Sequence, residues 1–161
     1  MSLKIMQWNF RSIFHKLPEI KQYLSTLDEL PEVICLQETH LTSKYQPTIP
    51  SYVIQRKDRP PHRGKGGVIA ICIINSLNFS EIITPSPADG LEIIGIKIGH
   101  YSIINVYNPP SCFLDINNLE FLSRLNRLVL CGDFNAHHGM WVSSQNYTEG
   151  RVLVSLLDNH D

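Results

Sequence analysis

Short apolar runs alternate with turn-forming residues along most of the chain, and their lengths are typical of β-strands. The first run, residues 3–9, alternates apolar and polar positions and ends at Asn9. The second run, residues 33–36, is continuously apolar, as in a strand covered on both faces. In all, the pattern predicts strands over residues 3–9, 33–36, 52–55, 68–74, 79–83, 91–98, 102–107 and 128–131.

Three segments have the apolar spacing of amphipathic helices. A stripe with i, i+3, i+4, i+7 spacing follows Pro18, which predicts a helix that has this proline in its first turn and ends before Pro31. The stripe consists of Ile20, Tyr23, Leu24 and Leu27. Residues 114–125 and 152–157 show similar patterns. This order of elements, with a meander of strands in its middle, favours a layered α/β sandwich over an all-β barrel.

The composition is that of an ordinary globular protein. The chain has 161 residues, of which 43% are hydrophobic and 18% charged, so we expect a single domain over residues 1–161. The formal net charge is −1, which excludes a protein whose overall field attracts nucleic acid. One local basic run stands out, and it is typical either of a solvated loop or of a contact to a nucleic-acid backbone. It consists of Arg56, Lys57, Arg59, Arg63 and Lys65.

The cysteines predict reduced thiols and no zinc site. Cys35, Cys72, Cys112 and Cys131 are widely spaced, and three of them lie in apolar runs. No stretch reaches the roughly 18 apolar residues that a membrane span needs, and no targeting segment is evident. We therefore expect a soluble intracellular protein with no membrane partner and no stable oligomer.

Polar side chains stand at or just beyond the ends of the apolar runs, where α/β folds place ligands. They are Asn9, Glu38, Tyr107, Asn108, Asp133 and Asn135. Carboxylates among amides suit Mg²⁺ and phosphate oxygens better than a soft metal. The set therefore indicates phosphodiester hydrolysis, in which Glu38 anchors Mg²⁺ and Asp133 orients the attacking water. Taken singly, each residue is more typical of a solvated loop, a helix cap or a turn. His137 and His138 are more typical of the surface than of metal ligation.

The order of these motifs along the chain resembles the endonuclease/exonuclease/phosphatase superfamily. Within it, the chain is most similar to the apurinic-like endonuclease domain at the start of non-LTR retrotransposon polyproteins, especially the jockey-like kind. The resemblance runs from Ile5 to about Leu157. It is carried by Gln7-Trp8-Asn9, Leu36-Gln37-Glu38-Thr39, Arg56 with Asp58, Gly66-Gly67-Val68, Val106-Tyr107-Asn108-Pro109-Pro110 and Gly132-Asp133-Phe134-Asn135-Ala136-His137-His138.

The resemblance implies a fold and a role for each matching residue. The fold is a DNase I-like, four-layer α/β/β/α sandwich of two packed sheets. Glu38 would be the principal Mg²⁺ ligand, with Asn9 beside it and Mn²⁺ as an alternative ion. Tyr107 would contact the scissile phosphate, Asp133 would position or deprotonate the water, and Asn135 would hold a phosphate oxygen. Asn108 and Arg56 would support the site or contact DNA, and the basic run adds Arg59, Arg63 and Lys65 as candidate contacts to DNA.

Two departures from the family pattern qualify this expectation. Active members carry Ser-Asp-His on a C-terminal strand and loop, and the final Asp158-Asn159-His160-Asp161 does not match that motif. The resemblance therefore implies a domain that is incomplete at its C-terminus, lacks its last strands and has an unpaired edge at residues 128–131. The second departure is Val142, which follows Trp141 where relatives often carry glycine.

The function that the resemblance implies is a Mg²⁺-dependent endonuclease that nicks DNA in the nucleus. The 3′-hydroxyl would prime a reverse transcriptase encoded downstream in an intact element. The residues themselves leave two alternative functions open. The scaffold could hydrolyse another phosphoester, such as abasic DNA, RNA or a phosphoinositide, or the chain could be a catalytically dead remnant that binds nucleic acid. The target site is not predictable, because it depends on surface loops and groove shape.

Overall fold

Two four-stranded β-sheets pack face to face in a computed structural model of the chain, with helices on their outer faces. The structure describes residues 3–58, 68–87, 90–141, 144 and 147–158. This architecture confirms the predicted α/β sandwich. No described helix is long and apolar enough to cross a membrane.

The first sheet is built from the N-terminal half of the chain. Its strands are β1 (Ile5–Asn9), β2 (Val33–Gln37), β3 (Tyr52–Lys57) and β4 (Ile69–Ile74), in the order β1-β2-β4-β3. β1 and β2 are parallel, and the other two pairs are antiparallel. Since β1 and β2 are parallel, the chain crosses between them through a helix, α1 (Ile13–Ser25).

The helix α1 begins earlier than its sequence pattern predicts. Ile13, Leu17, Ile20 and Leu24 form its buried face and pack in one core cluster with residues of the first sheet. Pro18 therefore lies inside the helix, so its predicted place in the first turn is wrong. The earlier start has a tertiary cause, because the backbone N–H groups of Ser12 and Ile13 donate to carbonyls beyond β2 and fix the entry to the helix.

The second sheet is built from the C-terminal half. Its strands are β5 (Ser80–Ile82), β6 (Glu92–Ile98), β7 (Tyr101–Tyr107) and β8 (Leu128–Asp133), in that order. β7 and β8 are parallel, and the long connection between them carries a 3₁₀ helix, Ile116–Arg124, where the sequence predicts a helix. A short 3₁₀ turn, Gly139–Trp141, and the helix α2 (Thr148–Asp158) follow β8.

The two sheets share an apolar interface with one buried polar link. Isoleucines and valines of both sheets form a common cluster, for example Ile71 of β4 with Ile103 of β7. Within it, the Asn105 side chain accepts a 2.6 Å hydrogen bond from Gln37 and donates to the carbonyls of Leu36 and Ala70, both at 3.0 Å. Because an unpaired buried amide is costly, these bonds favour one alignment of the sheets.

The strand β8 forms one edge of the second sheet. In the described part of the chain it pairs with β7 alone, and all six of its residues are partly exposed. This agrees with the expected unpaired edge at residues 128–131. All four cysteines are free, as expected; Cys35 and Cys72 are buried, whereas Cys112 and Cys131 are partly exposed.

Candidate active site

Four strand ends meet at one edge of the sandwich and bring the predicted polar residues together. Asn9 ends β1, and Glu38 directly follows β2. Tyr107 and Asp133 end β7 and β8, and the two residues are aligned in the parallel register. Because the strands of both parallel pairs end on this edge, residues far apart in sequence face one another there.

The side chain of Asn9 links two carboxylates that come from different sheets. Its Nδ2 donates to Glu38 Oε1 at 2.8 Å and to Asp133 Oδ2 at 2.7 Å. One amide group therefore holds both acids within reach of a single ligand. Its oxygen accepts a 3.3 Å hydrogen bond from the Arg11 N–H, so Asn9 is here a donor to the carboxylates. For Asn9 to act as the predicted metal ligand, its side-chain amide must flip so that the oxygen, and not the nitrogen, faces the carboxylates.

Glu38 sits in a strained backbone conformation. Its φ is 50°, in the left-handed region that side-chain-bearing residues rarely adopt. Backbone hydrogen bonds hold the bend, since Ser12 N–H donates to the Glu38 carbonyl and Thr39 N–H donates to the carbonyl of Val68. Such strain is common at functional sites, where the surrounding structure fixes the conformation.

Tyr107 lies against the same carboxylates and is only 6% exposed. Burial raises its pKa to about 12, and the charges of Glu38 and Asp133 together with a hydrogen bond to Glu38 act in the same direction. The phenol is therefore a neutral O–H donor at any physiological pH. A donor of this kind can hydrogen-bond a phosphate oxygen on which negative charge develops.

A hydrogen-bonded loop positions Asp133 and Asn135. The N–H of Asn108 donates to the Asp133 carbonyl at 2.8 Å, and the N–H of Asn135 donates to Asp133 Oδ1 at 3.1 Å. Asn135 adopts a left-handed φ of 46°, and its Nδ2 donates to the Asn108 carbonyl at 2.7 Å. The amide of Asn135 carries a second hydrogen, which can serve a phosphate oxygen.

Asn108 holds this loop from within the protein and not from its surface. Its side chain is 1% exposed, and its Nδ2 donates to the carbonyls of Phe134 and Cys112. The side chain thus holds the loop that follows β8, and its predicted role in supporting the site stays a prediction. A direct contact between Asn108 and DNA stays a prediction.

Gln7 and Gly132 are positioning residues whose roles the sequence alone did not reveal. Gly132 has a φ of 151°, and a Cβ there would lie 2.1 Å from the Val106 carbonyl oxygen, so β7 and β8 pack too closely for a side chain. Gln7 bonds the Gly132 backbone from the other sheet. The signal for Gln7 was its polar position in an alternating strand, which is also typical of an exposed side chain.

The donor set fits a hard divalent cation. Mg²⁺ usually binds through one or two carboxylates and retains several waters, and Glu38 and Asp133 offer two carboxylates at one place. Among the described residues, no group of three or more His, Cys, Asp or Glu side chains could hold a metal ion, so nothing here resembles a zinc site.

The described part of the basic run points its charges into the protein. Arg56 pairs with Asp58 at 3.1 Å and donates to the Tyr45 carbonyl at 2.7 Å. Lys57 Nζ donates to the carbonyls of Pro85 and Ile93, and burial lowers its pKa although Glu92 opposes that effect. The DNA contact expected of Arg56 stays a prediction. Arg59, Arg63, Lys65, Gly66 and Gly67 lie outside the described residues.

A pocket of about 480 Å³ opens beside Asp133. His137 lines it together with the apolar side chains of Phe134, Trp141 and Leu153. His138 packs against Trp141, with ring centroids 5.4 Å apart. The two histidines therefore border the site, and the described contacts give neither of them a position between the carboxylates.

Fold and site together define an α/β sandwich of the DNase I-like class. A family model described as endonuclease-reverse transcriptase matches residues 101–161. The chain is 25% identical, over 97% of its length, to the RNA-directed DNA polymerase from the mobile element jockey of Drosophila melanogaster, and it spans 17% of that relative.

Two solved structures show the same fold. An AP endonuclease from Archaeoglobus fulgidus superposes with a TM-score of 0.71 at 20% identity, covering 98% of this chain and 70% of that one. The endonuclease domain of TRAS1, a telomere-specific non-LTR retrotransposon, gives a TM-score of 0.66 at 16% identity, with 98% and 72% covered. These likenesses confirm what the motifs indicated: the chain resembles the DNase I-like endonuclease domains of non-LTR retrotransposons.

Proposed function

We propose that the chain is a Mg²⁺-dependent phosphodiesterase domain that nicks one strand of DNA. The observation that carries this proposal is the bridge from Asn9 to the carboxylates of Glu38 and Asp133. It gathers two acids and an amide where the ends of both sheets meet. The nuclease names of similar proteins support the same class of reaction.

The residues of the chain divide the hydrolysis between them. Asp133, held by Asn9 and by the Asn135 N–H, accepts the proton of the attacking water as the water oxygen bonds to phosphorus. The bond between phosphorus and the 3′-oxygen breaks in the same step, and that oxygen takes a proton from solvent water and leaves as the 3′-hydroxyl. Tyr107 donates its phenolic hydrogen to a non-bridging phosphate oxygen, and its raised pKa keeps that hydrogen in place. Asn135 donates its second amide hydrogen to the same phosphate group.

The metal ion would be held at Glu38. Mg²⁺ bound there supplies positive charge that offsets the negative charge developing on the phosphate. Mn²⁺ has similar ligand preferences and would serve as a substitute. The ion would also offset the mutual repulsion of the Glu38 and Asp133 carboxylates.

The descriptions of the relatives support a proposed biological role. A nick that leaves a 3′-hydroxyl would prime DNA synthesis by a reverse transcriptase in the same polyprotein, and the similar jockey protein is described as an RNA-directed DNA polymerase. The partners would then be DNA and that polymerase domain, and the site of action would be the nucleus.

Relaxation of supercoiled plasmid tests the proposal. The chain is expected to nick the plasmid in Mg²⁺ and to stop in EDTA. Glu38→Ala and Asp133→Ala should each lower the rate by about a thousandfold or more, since members of a catalytic set act together. Glu19→Ala removes an exposed carboxylate on α1 and should leave the rate unchanged.

Three outcomes would change the proposal. Equal rates for parent, Glu38→Ala and Asp133→Ala would show that the mechanism is wrong. Faster turnover of abasic duplex, RNA or inositol phosphates than of plasmid would reassign the substrate. Salt-dependent DNA binding without cleavage in Mg²⁺ or Mn²⁺ would favour a catalytically dead binding domain.

A further inference from the structure

A second pocket, remote from the catalytic edge, gathers basic side chains from distant parts of the chain. It has a volume of about 510 Å³ and lies beside the turn between β6 and β7. We call it the Lys97 pocket. Among the described residues that line it are Lys97, His100, Ser102, Arg124 and Arg127.

Every formally charged side chain among the described residues that line the Lys97 pocket is positive. Lys97, Arg124 and Arg127 are exposed, and no carboxylate is among its lining residues. Among the described residues, none of the three cations forms an ion pair, in contrast to Arg56. The imidazole of His100 lines the pocket beside them. Because the whole chain has a net charge of −1, this local concentration is not a consequence of a basic protein.

The fold holds these charges in place. Lys97 and Ser102 are aligned in the β6–β7 hairpin, and Ser102 is aligned with Leu128 at the start of β8. Arg127 precedes that strand and lies over the Tyr101 ring, with 5.9 Å from its guanidinium carbon to the ring centroid. The long 3₁₀ helix ends at Arg124, which brings that side chain to the same rim. The pocket therefore combines two arginine guanidinium groups with a lysine ammonium group, and these groups bind phosphate best.

The Lys97 pocket and the catalytic edge belong to opposite ends of the second sheet. Ser102 begins the part of β7 that ends at Tyr107, five residues later, which corresponds to about 17 Å along the strand. Because Ser102 and Tyr107 are an odd number of residues apart on one strand, their side chains lie on opposite faces of the sheet. A ligand in the pocket would therefore not occupy the catalytic site.

We propose that the Lys97 pocket binds the phosphodiester backbone of a nucleic-acid strand. Three cations, with no carboxylate among the described residues that line the pocket, match a polyanion, and an open basic rim suits successive phosphates. The choice of a nucleic acid as the source of the phosphate rests on the proposed function, whereas the anion site rests on the charges alone. The strand in the pocket is a second stretch of nucleic acid, apart from the bond that is cut.

The experiment measures binding of a labelled oligonucleotide to the full chain carrying Asp133→Ala, in EDTA, as a function of salt. In this background Lys97→Gln with Arg124→Gln removes two phosphate contacts. The magnitude of the negative slope of log K against log salt should fall by about 1.8 for duplex DNA or about 1.4 for a single strand. The matched control, Lys16→Gln with Lys21→Gln, removes two charges from α1 and should leave the slope unchanged.

A second readout follows the pocket directly. The imidazole proton signals of His100, assigned with His100→Gln, should shift when the oligonucleotide is added, and the shift should vanish in the Lys97→Gln, Arg124→Gln variant. If that variant does not fold, the titration of the parent chain decides the question. Separate titrations with single-stranded RNA, duplex DNA and inorganic phosphate distinguish the sources of phosphate.

Each contrary result overturns the proposal in a recognisable way. Equal slopes for the pocket and α1 variants would show that only unspecific charge was lost. A His100 response to inorganic phosphate without a response to any oligonucleotide would identify a small-anion site. Because these measurements need no cleavage, plasmid nicking by the unmutated chain together with an unchanged slope would reject the pocket and keep the proposed function.

Discussion

Gln7 and Gly132 exchange two hydrogen bonds across the gap between the sheets. Gln7 Nε2 donates to the Gly132 carbonyl at 2.8 Å, and the Gly132 N–H donates to Gln7 Oε1 at 2.9 Å. Gln7 lies two residues before Asn9, and Gly132 directly precedes Asp133. The pair therefore ties β1 to β8 beside the place where Asn9 reaches Asp133.

Loss of this link should loosen the site more than the whole fold. We predict that Gln7→Ala lowers the free energy of unfolding by about 1 kcal/mol, because two exposed hydrogen bonds are lost. It should also slow plasmid nicking, since Asp133 is held less firmly against Asn9. Urea unfolding and nicking rates measure the two effects. Gln22→Ala, on the exposed face of α1, is the control, and equal behaviour of both variants would contradict the role of Gln7.

The glycine of the pair should not tolerate a side chain. Gly132→Ala places a Cβ against the Val106 carbonyl at a φ of 151°, so we predict a loss of about 3 kcal/mol or more. Gly99→Ala provides the comparison, because Gly99 also has a positive φ, 56°, but no atom lies within 4 Å of its Cβ. That change should cost about 1 kcal/mol. Thermal unfolding of both variants checks the difference, and similar losses would show that the contact with Val106 is unimportant.

The strands were predictable from the sequence because each carries its own periodic signal. All eight predicted runs are strands, and site residues stand at or just beyond the ends of four of them. The start of α1 was not predictable from the proline, since contacts with residues beyond β2 place Pro18 inside the helix. Tertiary hydrogen bonds overrode a local preference there.

The candidate site was predictable as a set of residues but not as a geometry. Residues 9 and 133 are 124 positions apart, and although their positions at strand ends and the family resemblance both grouped them, neither showed the hydrogen bond between them. Asn105 lies in an apolar strand, and nothing in that pattern marks it as a link between the sheets. The charges of the Lys97 pocket come from β6 and from both ends of the loop before β8, so a search for basic runs misses them.

Asn9 should be required as a neutral donor. We predict that Asn9→Asp, which adds a third carboxylate beside Glu38 and Asp133, destabilises the chain in EDTA by about 1–3 kcal/mol. Mg²⁺ should restore much of this loss, because a cation bound to the folded state raises stability by mass action. Thermal unfolding with and without Mg²⁺ measures both effects. Asn75→Asp, at an exposed turn, is the control, and its stability should change neither in EDTA nor on addition of Mg²⁺. If Mg²⁺ does not raise the stability of the Asn9→Asp variant, that result would argue against a metal ion at Glu38.

Ionisation of Tyr107 should report on the site at alkaline pH. Burial and the neighbouring carboxylates raise the pKa of Tyr107 to about 12, above the unfolded value of about 10. The stabilisation associated with the neutral phenol is therefore complete below about pH 10 and lost as the pH rises from about 10 to about 12. Tyr107→Phe cannot ionise, so its free energy of unfolding should fall less steeply across this window, as measured by urea unfolding alongside phenolate absorbance.

Tyr52→Phe is the matched control, because burial raises the pKa of Tyr52 to about 12 as well and its hydroxyl donates to the Pro31 carbonyl. Both variants should flatten the alkaline loss of stability, but only Tyr107→Phe should slow nicking near neutral pH, by about a hundredfold for one lost donor to the phosphate. Equal nicking rates for the two variants would remove Tyr107 from the proposed mechanism.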